Sequence, residues 1–313
     1  MTLGDPRGIG PEVVANALGQ SPLDAEITVI GPDDLIGSIV ADQRIGVGAW
    51  GWGTGDEGRG PADPTPPSSP VPRPQRAGQL AAQAVERAVA LALSGAVDAI
   101  VTGPVHKAAL HLAGYRYPGL TEFLAHLTGG PDVAMMLATD ALRVVLVTTH
   151  VPLRAVADLV TVDAVVRTGR ITRAALERWW GLAEPRLAVC ALNPHAGEGG
   201  LFGDEDDRVL RPAAAALGAA GPLPADTVFV RALRGEFDAV LAPYHDVGMT
   251  AVKVAGFGRG VNVTLGLPFP RTAPDHGTAL DIAGKGVADA GSMRVALELA
   301  TRLAATAGVA RGR

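Results

Sequence analysis

Three histidines follow the carboxyl ends of three predicted strands, and their side chains could form a metal site. His150 comes directly after the predicted strand Leu142–Thr149. His195 follows the strand Arg186–Leu192 after Asn-Pro, and His245 follows the strand Phe237–Ala242 after Pro-Tyr. In open α/β sheets, ligands bind outside the carboxyl ends of strands. Three imidazoles there could hold a catalytic metal with one open position, and imidazole suits zinc, cobalt, nickel or iron better than magnesium. The separations of 45 and 50 residues match no local ligand motif, so three unrelated polar loop residues are the alternative.

Other polar and glycine-rich segments lie near the same predicted strand ends. The segment Asn193–Gly200, which contains His195, has three glycines in eight residues, and Gly256–Gly260, which precedes a predicted strand, is similarly rich in glycine. Glycine permits a positive φ and close approach of the backbone to a ligand. The alternative for each is a tight turn. Lys107 ends the motif Thr-Gly-Pro-Val-His-Lys after another predicted strand, which places it near the same edge.

A cationic set farther along the chain could bind a carboxylate or phosphate. Lys253, Arg259 and Arg271 belong to it, with Asn262 between the two arginines. Lysine and arginine in a cleft hold such anions, although solvation at the surface is the alternative for each. The segment Asp275-His276-Gly277-Thr278 could open a helix with Asp275 as its N-cap.

Strands that alternate with helices predict βαβ units and a mostly parallel sheet. The apolar runs predict strands at Glu26–Ile30, Val97–Thr102, Val133–Ala138, Leu142–Thr149, Arg186–Leu192, Phe237–Ala242 and Val261–Leu265. Residues that recur at helical spacing predict helices at Gly10–Leu18, Gly78–Leu93, Asp163–Trp180, Glu205–Leu217 and Ser292–Ala307.

One glycine- and proline-rich segment, Gly46–Arg76, interrupts this pattern and is predicted to be a long loop. It contains a literal GxGxxG at Gly53–Gly58. A dinucleotide fingerprint needs a strand before it and a helix after it, and neither is predicted here. The chain therefore carries no evident Rossmann fingerprint.

Composition excludes several classes of protein. With 313 residues and 48% hydrophobic residues, the chain can build about two domains with a large core. The net charge of −5 argues against nucleic acid as a partner, and no apolar run predicts a membrane span. The single cysteine, Cys190, and the lack of a signal peptide favour the cytoplasm. Only three of the 27 basic residues are lysines.

Several long motifs, in order, closely resemble the 4-hydroxythreonine-4-phosphate dehydrogenase family of vitamin B6 biosynthesis, from Thr2 to about Leu303. They are Gly4–Glu12, Thr102–Lys107, Asn193–Gly200, Pro224–Thr227, Tyr244–Asp246, Gly256–Phe269 and Arg271–Thr278.

The resemblance implies an α/β, two-domain fold like that of isocitrate and isopropylmalate dehydrogenases, with mostly parallel sheets and an interdomain cleft. The first domain would comprise residues 1–115 and 288–313, with both termini, and the second 116–287. The resemblance also implies a homodimer in which each active site lies between the two subunits.

The implied active site uses the residues that the motifs supply. A divalent metal (Zn, Mg or Co) would be held by His150, His195 and His245, and the small phosphorylated substrate by Thr121, Asp226, Lys253, Asn262 and Arg271. Lys253 and Asp226 would be catalytic. NAD or NADP would bind near Asp275, His276, Gly277 and Thr278.

The implied reaction oxidises the secondary hydroxyl of 4-phosphohydroxy-L-threonine and then removes CO2 from the β-keto acid. A metal at the hydroxyl would stabilise the alkoxide, and Lys253 would accept a proton or stabilise charge. Arg271 and Asn262 would position the phosphate or carboxylate.

Three features depart from the family pattern. Leu120 stands where the family has a substrate-binding histidine, and leucine cannot form a hydrogen bond. Val247 replaces a glutamine beside His245. Only Met1–Leu3 precede the Gly-Asp-Pro motif, where the family has a strand.

The apolar residues Leu120 and Val247 leave three alternative functions open. A paralogous dehydrogenase would act on 4-phospho-threonate, 4-phospho-erythronate or an aromatic cis-dihydrodiol carboxylate. A metallohydrolase would use zinc on the same three histidines. A catalytically inactive binding or regulatory protein is the third.

Overall fold

The computed structural model describes residues 1–51, 73–256 and 258–310 of the chain. Helices α1 to α11 are Gly10–Leu18, Asp33–Ile36, Arg73–Leu93, Lys107–Leu112, Leu120–Leu127, Val156–Leu159, Val162–Trp180, Arg211–Leu217, Ala225–Leu233, His245–Gly256 and Gly291–Ala310. Strands β1 to β10 are Thr28–Gly31, Gln43–Gly46, Ile100–Val101, Ala134–Ala138, Arg143–Leu146, Leu187–Cys190, Ala220–Leu223, Ala239–Ala242, Val261–Leu265 and Arg271–Pro274. Most of the predicted loop Gly46–Arg76, with its GxGxxG, lies outside the described residues.

The chain forms two compact units. The first comprises Met1–Gly129 and His276–Thr301, and the second comprises Gly130–Asp275 and the stretch from Arg302 onward. In the first unit β1 pairs in parallel with β2, and Thr2 bridges to Ile30 and to Thr102 in parallel.

The boundaries differ from those predicted at residues 115 and 287, and local contacts explain the difference. Helix α5 belongs to the first unit because its Phe123 packs between Tyr115 and Tyr117, with ring centroids 5.3 and 5.0 Å away. The segment after His276 belongs there too, since Glu12 accepts hydrogen bonds from the backbone N–H groups of Gly284 and Ala288.

Strands of the second unit form a sheet in the order β10-β9-β4-β5-β8-β6-β7. The pairings β5–β8, β8–β6 and β6–β7 are parallel, and the residues of β6 and β8 are all buried. Strands β10, β9, β4 and β5 pair antiparallel. The predicted parallel arrangement therefore holds for one end of this sheet, while short connections such as the one between β4 and β5 reverse the chain at the other.

Helix α10 packs closely on this sheet. A core cluster joins residues of β4, β5, β6 and β8 to Met249 and Val252 of α10. A Cβ on Gly248 would lie 2.8–3.1 Å from side chains of Leu146, Val144 and Ala242. Only glycine permits this approach, which places the first turn of α10 beside the ends of β5 and β8.

Local sequence explains where α7 begins and ends. The Thr161 hydroxyl accepts a hydrogen bond from the Ala164 N–H at its N-terminus, and Gly181 ends it with φ 68°. The predicted helix Glu205–Leu217 is helical throughout, with a π-helical turn, Asp206–Leu210, before α8. The helix prediction at Asp275 needs correction. Asp275–Thr278 does not open a helix, and its aspartate pairs with a lysine instead.

Within the described residues, no helix combines the length and apolarity that crossing a membrane requires.

Candidate functional site

The three strand-end histidines follow three adjacent strands. Strands β5, β8 and β6 lie side by side and parallel, so their carboxyl ends reach the same edge of the sheet. His150 follows β5, His245 opens α10 after β8, and His195 follows β6. The rings of His150 and His245 lie 5.5 Å apart between centroids. The structure thus brings two of the three predicted metal ligands together.

His195 lies in a turn with unusual backbone geometry. In the segment Pro194–Gly200, residues 195–199 all have positive φ, including His195 (52°), Ala196 (56°) and Glu198 (42°). Non-glycine residues adopt this conformation at a cost of about 1–2 kcal/mol each, and such strain clusters at functional sites. The turn presents the His195 side chain to solvent.

Asp206 anchors the start of this turn. Its side chain is fully buried, and its carboxylate accepts hydrogen bonds from the backbone N–H groups of Leu192 and Asn193 at 2.9 and 3.0 Å. The Asn193 amide donates to Glu205 at 2.7 Å. These contacts fix the chain where it leaves β6, immediately before His195.

Carboxylates orient two of the candidate ligands. Nδ1 of His195 donates to Glu198 at 2.6 Å, and Nδ1 of His245 donates to Asp246 at 2.7 Å. Each contact leaves Nε2 available, which is the carboxylate–histidine–metal arrangement of many metal sites. The hydrogen bond with Glu198 and its negative charge raise the pKa of His195, and Asp226 adds a smaller contribution in the same direction. The donor set therefore fits a divalent metal that prefers nitrogen ligands.

Convergence of all three histidines on one ion is not seen within this chain. Among the residues that the structure describes, no three His, Cys, Asp or Glu side chains are grouped so that they could hold a metal ion. The ligand set His150, His195 and His245 therefore stays a prediction.

Replacing Ala196 by glycine should stabilise the protein. Glycine adopts φ 56° without strain, so Ala196→Gly is expected to raise the free energy of unfolding by about 0.5–1 kcal/mol. The matched control is Ala215→Gly on the exposed side of α8, which should lower it by about 0.5–1 kcal/mol. Thermal unfolding of both variants gives the comparison, and a loss of stability in Ala196→Gly would show that the turn is not strained.

A second group of predicted site residues lies around the end of α10 and the hairpin of β9 and β10. Nζ of Lys253 lies 3.2 Å from Oδ2 of Asp275, and Asn262 is in β9. Arg271, at the start of β10, is 4% exposed, and burial lowers the pKa of its guanidinium to about 10. Arg259 is exposed near the end of α10. A buried cation of this kind is suited to an anionic ligand.

The predicted residues Thr121 and His276–Thr278 belong to the first unit. Thr121 is the second residue of α5. The backbone N–H of Ile9 donates to the Thr278 carbonyl at 2.9 Å, and a Cβ on Gly8 would lie 2.6 Å from that oxygen. The segment therefore lies against the N-terminus of α1.

The two apolar departures have different environments. Leu120 is the first residue of α5 and is partly exposed, beside Gly119. A Cβ on Gly119 would lie 3.2 Å from a carboxylate oxygen of Glu122 and 4.0 Å from Nζ of Lys107, so the residue before Leu120 has polar neighbours. Val247, in contrast, packs against the core cluster under α10. Val247 therefore has a packing role, whereas Leu120 lies at the partly exposed start of a helix.

Sequence reasoning missed two buried polar residues that support the site, Asp206 and Thr264. Asp206 lies in a predicted helix and reads as a solvated acidic residue among Asp204–Asp207. Thr264 reads as an ordinary strand residue. Their contacts depend on tertiary structure, and no local pattern in the sequence indicates them.

Comparison with known proteins shows the family. The model of the family described as "Pyridoxal phosphate biosynthetic protein PdxA" matches residues 68–300. The chain is 44% identical to a 4-hydroxythreonine-4-phosphate dehydrogenase of Beijerinckia indica over 97% of this chain and 94% of the relative. A D-threonate 4-phosphate dehydrogenase of Salmonella typhimurium is also 44% identical, over 97% and 98%. The chain belongs to the PdxA family, whose curated relatives are named dehydrogenases.

Solved structures confirm the predicted α/β fold. A 4-hydroxythreonine-4-phosphate dehydrogenase from Klebsiella pneumoniae superposes with a TM-score of 0.81 at 40% identity, covering 97% of this chain and 96% of that one. A terephthalate 1,2-cis-dihydrodiol dehydrogenase from Burkholderia xenovorans gives 0.65 at 28% identity, covering 96% of each chain. The resemblance drawn from the motifs is therefore confirmed.

Proposed function

We propose that this protein oxidises 4-hydroxythreonine 4-phosphate at its secondary hydroxyl with NAD or NADP, and that the resulting β-keto acid then loses CO2. The observation that carries the proposal is 44% identity to a dehydrogenase named for this substrate over 97% of the chain. The site supports it, because strand-end imidazoles, a lysine and a buried arginine are the groups that such chemistry requires.

Each candidate residue has a proposed role. Asp226, exposed on the first turn of α9, accepts the hydroxyl proton. The ammonium of Lys253 stabilises the negative charge on that oxygen and later donates a proton to the enolate carbon left by CO2. Arg271 and Asn262 hold an oxyanion of the substrate. Thr121 donates a hydrogen bond to the substrate.

We propose a divalent metal, zinc or cobalt rather than magnesium on the basis of the nitrogen donors, held by His150, His195 and His245. When bound, the metal would supply Lewis-acid stabilisation of negative charge on the substrate oxygen. Glu198 would orient the imidazole of His195, and Asp246 would orient that of His245, because each carboxylate accepts a hydrogen bond from Nδ1.

The nicotinamide cofactor would accept the hydride. We propose that it lies near Asp275–Thr278, whose last residue is fixed against the N-terminus of α1. The phosphates of NAD or NADP favour such a position.

We further propose a homodimer in which each site takes residues from both subunits. Large apolar side chains are exposed a few residues after the candidate ligands in the sequence, namely Leu153, Leu201 and Phe202, and the Phe202 ring lies edge-on to that of His195 at 6.1 Å. A second copy that covers them could complete the metal site. Light scattering should then give a mass of about twice 31.9 kDa, and a monomer that binds metal and is active would refute the arrangement.

The test of the proposed activity is the growth of absorbance at 340 nm with 4-hydroxythreonine 4-phosphate, NAD or NADP, and zinc or cobalt. Turnover supports the proposal. If only D-threonate 4-phosphate or a cis-dihydrodiol carboxylate is oxidised, the substrate assignment is wrong, and hydrolysis of a phosphate ester without nicotinamide would favour a metallohydrolase.

Leu120 favours D-threonate 4-phosphate or another analogue as a second candidate substrate, because the histidine of the family would supply a hydrogen bond that leucine lacks. If 4-hydroxythreonine 4-phosphate is the natural substrate, Leu120→His should change kcat/KM for it by less than about tenfold, since an adapted site has its contacts elsewhere. A gain of about 100-fold, the effect of one hydrogen bond to a charged group, would show that the natural substrate is a different one. Leu112→His, at an exposed position in α4, is the control.

A further inference from the structure

One face of the hairpin formed by β9 and β10 carries a polar strip made of the side chains of Arg271, Thr264 and Asn262. Arg271 pairs directly with Thr264, and Ala273 pairs with Asn262. Directly opposed residues in an antiparallel pair project from the same face, so these four side chains share one. On the neighbouring strand β4, Met135 pairs with Thr264 and Leu137 with Asn262, and both of these apolar residues belong to the core cluster. The strip therefore borders the hydrophobic core.

Within this strip, a buried hydroxyl accepts a hydrogen bond from a buried cation. Nη1 of Arg271 donates to Oγ1 of Thr264 at 3.0 Å. Thr264 is 0% exposed and Arg271 is 4% exposed. Two strand positions further along this face, Oδ1 of Asn262 is buried without a hydrogen-bond partner in the described structure. Burying a polar group without a hydrogen-bond partner costs free energy. Polar side chains in such surroundings therefore indicate a binding partner.

The geometry points to Thr264 as a positioning residue, whose hydroxyl fixes the guanidinium of Arg271 for binding a substrate oxyanion, either carboxylate or phosphate. This inference rests on the proposed function, in which Arg271 contacts the substrate. An arginine side chain is long and has many rotamers, so an anchor at Nη1 lowers the entropy that ligand binding must still remove. The planar fork is then held in one orientation in which it can receive an oxyanion.

The chemistry of threonine suits this role better than that of a carboxylate. An aspartate at position 264 would pair with Arg271 and compete with the ligand for its positive charge. A hydroxyl accepts the hydrogen bond and carries no charge of its own, so it does not offset the positive charge of the guanidinium. The β-branched side chain also has few rotamers, so Thr264 holds its oxygen in a defined place.

The test compares Thr264→Val, which keeps the shape and removes the hydroxyl, with Thr264→Ser, which keeps the hydroxyl. Calorimetry gives the Kd of inorganic phosphate and of malonate, and steady-state kinetics give KM and kcat for 4-hydroxythreonine 4-phosphate. We expect Thr264→Val to raise KM, and the Kd of one of the two anions, about tenfold with kcat changed less than about threefold. Thr264→Ser should stay within about twofold. The anion whose Kd responds identifies the oxyanion as phosphate or carboxylate.

A double-mutant cycle with Arg271→Lys separates positioning from general stability. If Thr264 acts through Arg271, adding Thr264→Val to Arg271→Lys should cause little further loss of anion binding. Additive losses, unchanged anion binding in Thr264→Val, or a wild-type protein that binds neither anion would overturn the inference. If the wild-type protein does not oxidise 4-hydroxythreonine 4-phosphate while its anion affinity still depends on Thr264, the proposed function fails and the positioning role stands.

Discussion

Replacing Lys253 by methionine is expected to lower kcat for 4-hydroxythreonine 4-phosphate by about 10²–10⁴-fold, the usual contribution of a general acid or base. Lys253 lies in the last turn of α10, with Nζ 3.2 Å from the Asp275 carboxylate. In the proposed mechanism, the ammonium held by this ion pair stabilises charge on the substrate oxygen and then donates a proton to the enolate carbon. Methionine keeps the length and removes both abilities.

The variant Lys253→Arg separates charge from proton transfer. Arginine keeps the positive charge and can pair with Asp275, but it does not release a proton at neutral pH. If proton donation is the main role, Lys253→Arg should be almost as impaired in kcat as Lys253→Met, while its KM stays closer to that of the wild type. Recovery of kcat in the arginine variant would assign Lys253 to charge stabilisation alone.

A matched control tests whether a substitution in α10 lowers activity by disrupting the helix. Thr250 is exposed one turn earlier on the same helix, and Thr250→Ala should leave kcat within about twofold, as substitutions at exposed sites usually do. Turnover by Lys253→Met at the wild-type rate would contradict the proposed chemistry. A loss of turnover in both variants and in the control would indicate a structural fault in the helix.

The strand-end histidines were predictable from the sequence because the strands before them are buried and nearly continuous in apolar residues. Strands β5, β6 and β8 were all predicted, and their adjacency in the sheet accounts for the close approach of His150 and His245. Helices α1 and α7 were also predicted to within one residue at each end, since their apolar spacing and end signals are local. Elements whose sequence signals are local could therefore be predicted from the sequence alone.

Elements whose stability depends on tertiary contacts escaped prediction. Strand β10 reads Arg-Thr-Ala-Pro and looks like a loop, yet all four of its residues are buried. Asp275 was predicted to cap a helix, but its carboxylate pairs with Lys253. Leu120 and Val247 looked equivalent as apolar substitutions, whereas only Val247 packs against the core. In each case the deciding contact joins residues far apart in sequence or depends on packing.

Removing the imidazole of His195 is expected to abolish both metal binding and turnover. A site with three protein ligands loses most of its affinity when one is removed, so His195→Ala should retain less than about a tenth of the wild-type metal content. Glu198→Gln should have a smaller effect, a metal affinity about 10–100-fold weaker, because Glu198 is hydrogen-bonded to His195 and is not one of the three proposed ligands. Metal analysis by mass spectrometry after dialysis, together with kcat, gives both results.

The control for this pair is His126→Ala on α5, a histidine whose ring lies 5.4 Å from that of Tyr117 and which belongs to the first unit. It should retain the wild-type metal content. Metal content retained in His195→Ala would refute the ligand assignment, even if turnover were lost. Since no three candidate ligands converge among the described residues of one chain, the metal content should also fall when the proposed dimer of the wild-type protein is diluted until it dissociates. Metal content that follows the fraction of dimer would show that the second subunit completes the site, and content independent of it would place all the ligands on one chain.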